Sequence, residues 1–192
     1  MKAYAYVVGP QDMAWQTLFD MSKDLDLAGV SDYRGLSQVE QQAGQTPVCY
    51  FLFSAVKDLS QLRPVAHAIR FSSSPLIRFS PMVYCAEEPS IETAVACINM
   101  GFDDVVALPQ TKAKLADRLA RQVDRNLVFY ESQGYFGPDR RNRVAERTQR
   151  TAKAPGGPFR RLEIVRSLLD GVSVLRDDVV AIPAVAAMQT LQ

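Results

Sequence analysis

Residues 3–8, AYAYVV, are apolar without interruption and stop at Gly9-Pro10, which predicts a short buried strand ended by a turn. Asp12 stands where a helix N-cap is needed, and Trp15, Leu18, Phe19 and Ser22 recur at helical spacing to about Leu25. A weaker strand is predicted over 29–33 and a short helix over 36–42, ended by Gly44. The clearest strand is 48–56, VCYFLFSAV, introduced by Pro47 and apolar at nearly every position. Such a run marks a strand covered on both faces, and hence a parallel sheet.

Helical periodicity returns over 59–70 through Leu62, Val65, Ala66 and Ile69, and Ser72-Ser73-Ser74-Pro75 ends it. Residues 77–84 read as a strand in which Pro81 demands a bulge, an edge position or a split. Pro89 and Ser90 open a helix through Ile91, Ala94, Val95 and Ile98 that Gly101 closes. A strand over 104–108 and Pro109 lead into a long amphipathic helix over 111–130, with Leu115, Leu119, Val123 and Leu127 as its apolar stripe.

Five strand signals alternating with five helical ones predict an α/β fold, a doubly wound five-stranded parallel sheet with right-handed crossovers. This domain is expected to span 1–131. Residues 132–192 are expected to be a basic C-terminal tail, linker-like up to Gly156-Gly157-Pro158. Two apolar stretches then flank Asp170-Gly171. They read either as a hairpin of 162–167 with 172–176, which we prefer, or as a helix over 160–169.

Composition adds little to this picture, and charge adds more. With 192 residues, 47% apolar and 22% charged, the chain has the makeup of an ordinary globular protein with one main core. No run approaches the length of a membrane helix, and the N-terminus MKAYAYVVGP is unlike a secretory signal, so a cytoplasmic location is expected. Residues 1–137 carry 12 Lys/Arg against 15 Asp/Glu, net −3, whereas 138–192 carry 10 against 6, net +4. Eight of those cations lie in 138–161, which makes the tail the electrostatically distinct part.

Candidate chemistry is sparse. Cys49, Cys85 and Cys97 are odd in number and set among apolar residues, so they read as buried thiols rather than disulfides or metal ligands. His67 is the only histidine, which excludes a triad of ordinary type. Ser72–Ser74 reads as a loop, and no glycine spacing suits a phosphate-binding turn. Neither enzymatic activity nor a cofactor or metal is expected.

The order of elements, and the block Met100-Gly-Phe-Asp-Asp-Val-Val-Ala-Leu-Pro109, resemble the receiver domain of two-component response regulators, over about residues 3–130. The spacing of the Pro47 strand and of the CAEEPS stretch agrees with that family. A receiver works through a Mg²⁺-binding acidic pair after the first strand and an aspartate nucleophile at the end of the third. In this chain the acidic pair aligns with Gly9 and Pro10, or with Pro10 and Gln11. The nucleophile aligns with Phe53 or Ser54, the phosphoryl-sensing hydroxyl with Tyr84 or Cys85, and the lysine with Leu108. The resemblance therefore implies a degenerate pseudo-receiver, and the neutral replacements predict a filled, metal-free pocket.

In that family the face built on the last helix docks partners or second copies, which singles out Arg118, Arg121 and Arg125 on the 111–130 helix and a homodimer through that face. Tyr135 and Phe136 are expected to anchor the tail while Arg140, Arg141 and Arg143 reach outward. The stretch GYFGPDRRNR at 134–143 is similar to GPDRR-containing tails of alphaproteobacterial regulators, a likeness that implies no particular role. The expected function is non-catalytic, phosphorylation-independent signalling by contact with a partner protein or with itself. The alternative is a transcriptional regulator that touches DNA through the Arg-rich tail.

Overall fold

The computed structural model describes residues 2–108, 111–139 and 158–180. Strands β1 (Tyr4–Val8), β2 (Gly29–Asp32), β3 (Cys49–Ser54), β4 (Met82–Ala86) and β5 (Asp104–Ala107) form one sheet in the order β2-β1-β3-β4-β5. Every pairing is parallel. This is the doubly wound, flavodoxin-like order expected from the alternating pattern. All six residues of β3 are buried, as its unbroken apolar run requires of a central strand.

The helices are α1 (Met13–Lys23), α2 (Leu36–Ala43), α3 (Arg63–Arg70), the single turn α4 (Pro75–Arg78), α5 (Ile91–Asn99) and α6 (Lys112–Ala120). Trp15 and Leu18 of α1 and Leu115 and Leu119 of α6 pack on one face of the sheet, against Val7, Tyr50, Leu52, Cys85 and Val106. Val39 of α2, Ala66 and Ile69 of α3 and Cys97 of α5 cover the other, against Tyr6, Phe51, Phe53 and Tyr84. Each fully buried side chain of Leu or Phe size contributes about 1.5–3 kcal/mol. Asp12 caps α1 by accepting from the Trp15 amide at 3.0 Å, and Ser90 caps α5 by accepting from Thr93 at 3.1 Å.

Two sequence expectations fail. Residues 77–84 are not one strand: Pro75 opens α4, and β4 begins at Met82, after Pro81. Nor is there a helix over 111–130. Helix α6 ends at Ala120, the chain turns through Asp124 at φ 51°, and Asn126–Ser132 runs as β6. Leu127 falls on the helical stripe by spacing, yet it belongs to LVFY, a β-branched and aromatic run that suits a strand.

Strand β6 begins a second, antiparallel sheet with β7 (Tyr135–Pro138), β8 (Phe159–Ser167) and β9 (Gly171–Val180), in the order β7-β6-β8-β9. The hairpin β8–β9 forms about Asp170-Gly171 and is longer at both ends than the sequence suggested; residues 160–169 do not form a helix. Phe129, Phe136, Leu162 and Ile164 of this sheet pack with Phe79 in a third core. Gly171 lies against Pro47 and Leu76, and Arg166 of β8 donates to the Phe79 carbonyl. Pro47, Phe79 and Asp103 all precede strands of the first sheet. The antiparallel sheet therefore covers the amino ends of the parallel strands and leaves their carboxyl ends open.

Candidate functional site

The carboxyl ends of β1, β3, β4 and β5 form the rim at which doubly wound sheets bind ligands. Register places Val8 beside Phe53, Ser54 beside Cys85 and Cys85 beside Val106, and the Leu108 amide donates to Ala86 O at 2.7 Å. Gly9, Pro10, Phe53, Cys85 and Leu108 thus come together at one rim, although β3 is only six residues long.

Gly9 is fixed by geometry as well as by composition. Its φ of +144° is a conformation that side chains rarely adopt, and a Cβ there would lie 2.1 Å from Ser54 Oγ. The Ser54 hydroxyl donates to Val8 O at 3.4 Å, closing the gap between β1 and β3. No carboxylate fits at position 9 without displacing Ser54. Phe53 points away from the rim, wholly buried and edge-on to Phe102 at a centroid distance of 4.6 Å.

Two of the acids near the rim have structural tasks. Asp12 caps α1, and Asp58 accepts from the Ser60 hydroxyl at 2.6 Å and the Ser60 amide at 2.9 Å. Those bonds, the hydroxyl first, hold the Asp58 carboxyl below its ordinary range. Cys85 is buried, and burial pushes its thiol up to about 12, so it carries no thiolate at neutral pH. Among the described residues no group of three His, Cys, Asp or Glu side chains is placed to hold a metal ion.

The rim is nevertheless not filled. A cleft of about 510 Å³ opens between α1 and the strand ends, lined by Met13, Met21, Ala55, Cys85, Glu87 and Leu108 among others. Small side chains, Ala14, Ala55 and Ala86, line it where filling would need large ones. Its one ionisable oxygen donor is Glu87. It is an apolar slot, unsuited to a phosphoryl group.

The second candidate region is the face of α5, β5 and α6. Arg118 pairs with Asp104 at 3.1 Å and donates to Val105 O at 2.9 Å. Arg121 pairs with Asp117 one helical turn away at 2.6 Å. With Lys114, Pro89 and Ala107 these residues line a depression of about 360 Å³, and α5 adds exposed Ile91 and Val95 beside it. Arg125 does not share this face as a helical residue, because it lies in the exposed turn before β6.

The tail candidates separate. Phe136 is 2% exposed and sits against Phe79 and Phe129 at 5.3 and 5.5 Å, so it anchors but presents nothing to a partner. Tyr135 is half-buried, and its hydroxyl donates to Pro138 O at 3.4 Å. Arg140, Arg141 and Arg143 lie outside the described residues. His67 stacks on Phe71 at 4.3 Å.

Sequence reasoning missed the buried charges. Asp103, just ahead of β5, pairs with Arg70 of α3 at 2.5 Å and Arg166 of β8 at 2.7 Å, all three at most 2% exposed. A signal existed: Arg166 alternates with Leu162 and Ile164 on the inward face of β8, which puts an arginine in a core position. Nearer the surface Arg78, Glu131, Arg160 and Asp177 form a chain of ion pairs across β6, β8 and β9.

No protein-family model matches the chain, and no curated protein matches its sequence. Among the described residues no helix is long and apolar enough to cross a membrane. Solved structures similar to the chain include a protein described as a response regulator from Chloroflexus aurantiacus J-10-fl, 14% identical, covering 62% of this chain and 95% of that one, TM-score 0.44. A CheY-like protein (tadZ) from Pseudomonas aeruginosa PAO1 is 11% identical over 62% of this chain and 98% of that one, TM-score 0.46.

Proposed function

We propose that this protein is a non-catalytic regulatory module that signals by docking a partner protein and takes no phosphoryl input. The observation that carries the reading is Gly9, where the positive φ and the 2.1 Å that would separate a Cβ from Ser54 Oγ leave no room for a metal-binding carboxylate at that position. The receiver-like order of elements supports a signalling role, and the rim offers Glu87 alone, with no carboxylate at Phe53 or Ser54 and no cluster of metal ligands among the described residues for the usual chemistry. What remains is surface. The α5–β5–α6 face, with Arg118 and Arg121 around a depression and Ile91 and Val95 exposed beside it, combines apolar area with guanidinium groups, the mixture enriched at protein interfaces.

Trp15, the only tryptophan, reports on the rim, because its indole donates to Val7 O at 3.4 Å from the first turns of α1. Titration with Mg²⁺ and beryllofluoride is expected to leave Trp15 fluorescence unchanged. A saturable, Mg²⁺-dependent change would overturn the proposal.

A further inference from the structure

Strand β9 is the outer strand of the antiparallel sheet, ten residues long, with its far edge unpaired by any strand among the described residues. Val174, Leu175, Val179 and Val180 on it are 40–76% exposed, and Leu169 in the turn before it is 68% exposed. Most large apolar side chains that the described residues leave in water therefore lie on this one edge and its turn. A long edge of this kind is a template for another strand.

We infer that β9 pairs antiparallel with β9 of a second copy of this chain, joining the two antiparallel sheets into one of eight strands about a two-fold axis at Asp177. The charge order on the strand selects this occupant. Arg176 and Asp178 share one face, in contact at 2.7 Å. A two-fold at the residue between them sets each Arg176 opposite the Asp178 of the other copy, so four charges alternate in sign around a square. The same register sets Leu175 beside Val179 of the other copy. Asp177, which meets its own counterpart at the axis, is already paired with Arg160.

Edges that repel other strands carry charges of one sign, usually lysine. An Arg-Asp-Asp sequence, with opposite charges on the two sides of its centre, instead complements itself under a two-fold axis. Leu175 is the extra residue at the register shift between Glu163 and Ile164. That bulge sets the strand's twist and keeps Leu175 out of the β8 ladder, available to the second copy. This interface lies on the second sheet, away from the α5–β5–α6 face, and leaves that face to a partner.

The test is sedimentation equilibrium on the full chain with three variants. Wild type is expected to be a dimer. Arg176→Asp brings four carboxylates together and Asp178→Arg four guanidinium groups, so each is expected to raise the dimer dissociation constant about tenfold or more. An equimolar mixture of the two variants is expected to restore a dimer containing one of each, and the double variant R176D/D178R to dimerise by itself. A monomeric wild type overturns the inference, as does a dimer that both single variants retain, which would place the interface elsewhere. If a variant loses its far-UV spectrum, amide exchange of wild-type residues 172–180 decides. Protection that rises with protein concentration supports the pairing, and exchange independent of concentration overturns it.

Discussion

Asp103 and Arg166 stand 63 residues apart in the chain and form a 2.7 Å ion pair with the guanidinium 0% and the carboxylate 2% exposed. The other carboxylate oxygen takes Arg70 at 2.5 Å and the Met82 amide at 2.8 Å. Two cations thus share one anion in the interior. Backbone carbonyls of Gly101, Ser80, Phe79 and Gln122 absorb most of their remaining donors, and Phe129 presents its ring at 5.6 and 5.3 Å from the two guanidinium carbons. Because Arg70 belongs to α3 and Arg166 to β8, the cluster ties the antiparallel sheet to the parallel one.

The two sides of this cluster differ in what their loss leaves behind. Asp103→Ala strands two buried guanidinium groups and is expected to cost about 3–5 kcal/mol. Arg166→Met leaves the Arg70–Asp103 pair intact and removes one cation from the Asp103 carboxylate and the donors from two carbonyls, for about 1–3 kcal/mol. Urea denaturation of the two variants ranks them, and an Asp103 variant milder than the Arg166 one would show that the shared anion is not what holds the cluster.

Gly9→Ala is expected to destabilise the protein by about 1–3 kcal/mol, since it meets both a positive φ and the Ser54 hydroxyl. Pairing it with Ser54→Gly removes the collision but not the strain. A double-mutant cycle should therefore return a favourable coupling, smaller than the full loss.

Cys49 and Cys85 are both pushed from 9.0 up to about 12 by burial. The folded chain holds these protons more tightly than the unfolded one, so this contribution to stability is complete below about pH 9 and is lost as pH rises toward 12. The expected slope is about 1.4 kcal/mol per pH unit for each thiol in that window. The difference in unfolding midpoint between wild type and a Cys49→Ala/Cys85→Ala variant at pH 8, 9, 10 and 11 isolates it from Tyr6 and Tyr50, whose protons burial also holds, and slow reaction of both thiols with an alkylating reagent is expected at neutral pH.

Arg121→Glu should separate docking from folding. Its pair with Asp117 is exposed on both sides, so the midpoint should move by less than about 1 kcal/mol, while partner capture by the α5–β5–α6 face should fall about tenfold or more. Unchanged capture would remove that face from consideration.

The alternation of apolar runs with amphipathic ones revealed the parallel sheet, because β3 and the helices around it follow single periods from end to end. The same reading failed where two periods coincide. Leu127 satisfies both the i+4 spacing of Leu119 and Val123 and the alternation with Phe129, and only the sheet partner, Leu127 beside Ile164, decides between them. The positions that make up the rim were legible one by one, since Gly9, Pro10, Phe53, Cys85 and Leu108 each stand at the carboxyl end of an apolar strand signal. The open cleft beside them was not, because it depends on three alanines from different parts of the chain, Ala14, Ala55 and Ala86. The Arg70–Asp103–Arg166 cluster unites residues far apart in sequence, and no local pattern announces it.

The most direct measurement is the intact mass of the full chain after incubation with Mg²⁺ and acetyl phosphate. A single unmodified mass is expected at every time point, because the rim holds no carboxylate nucleophile at Phe53 or Ser54. A phosphorylated species that requires Mg²⁺ would contradict it.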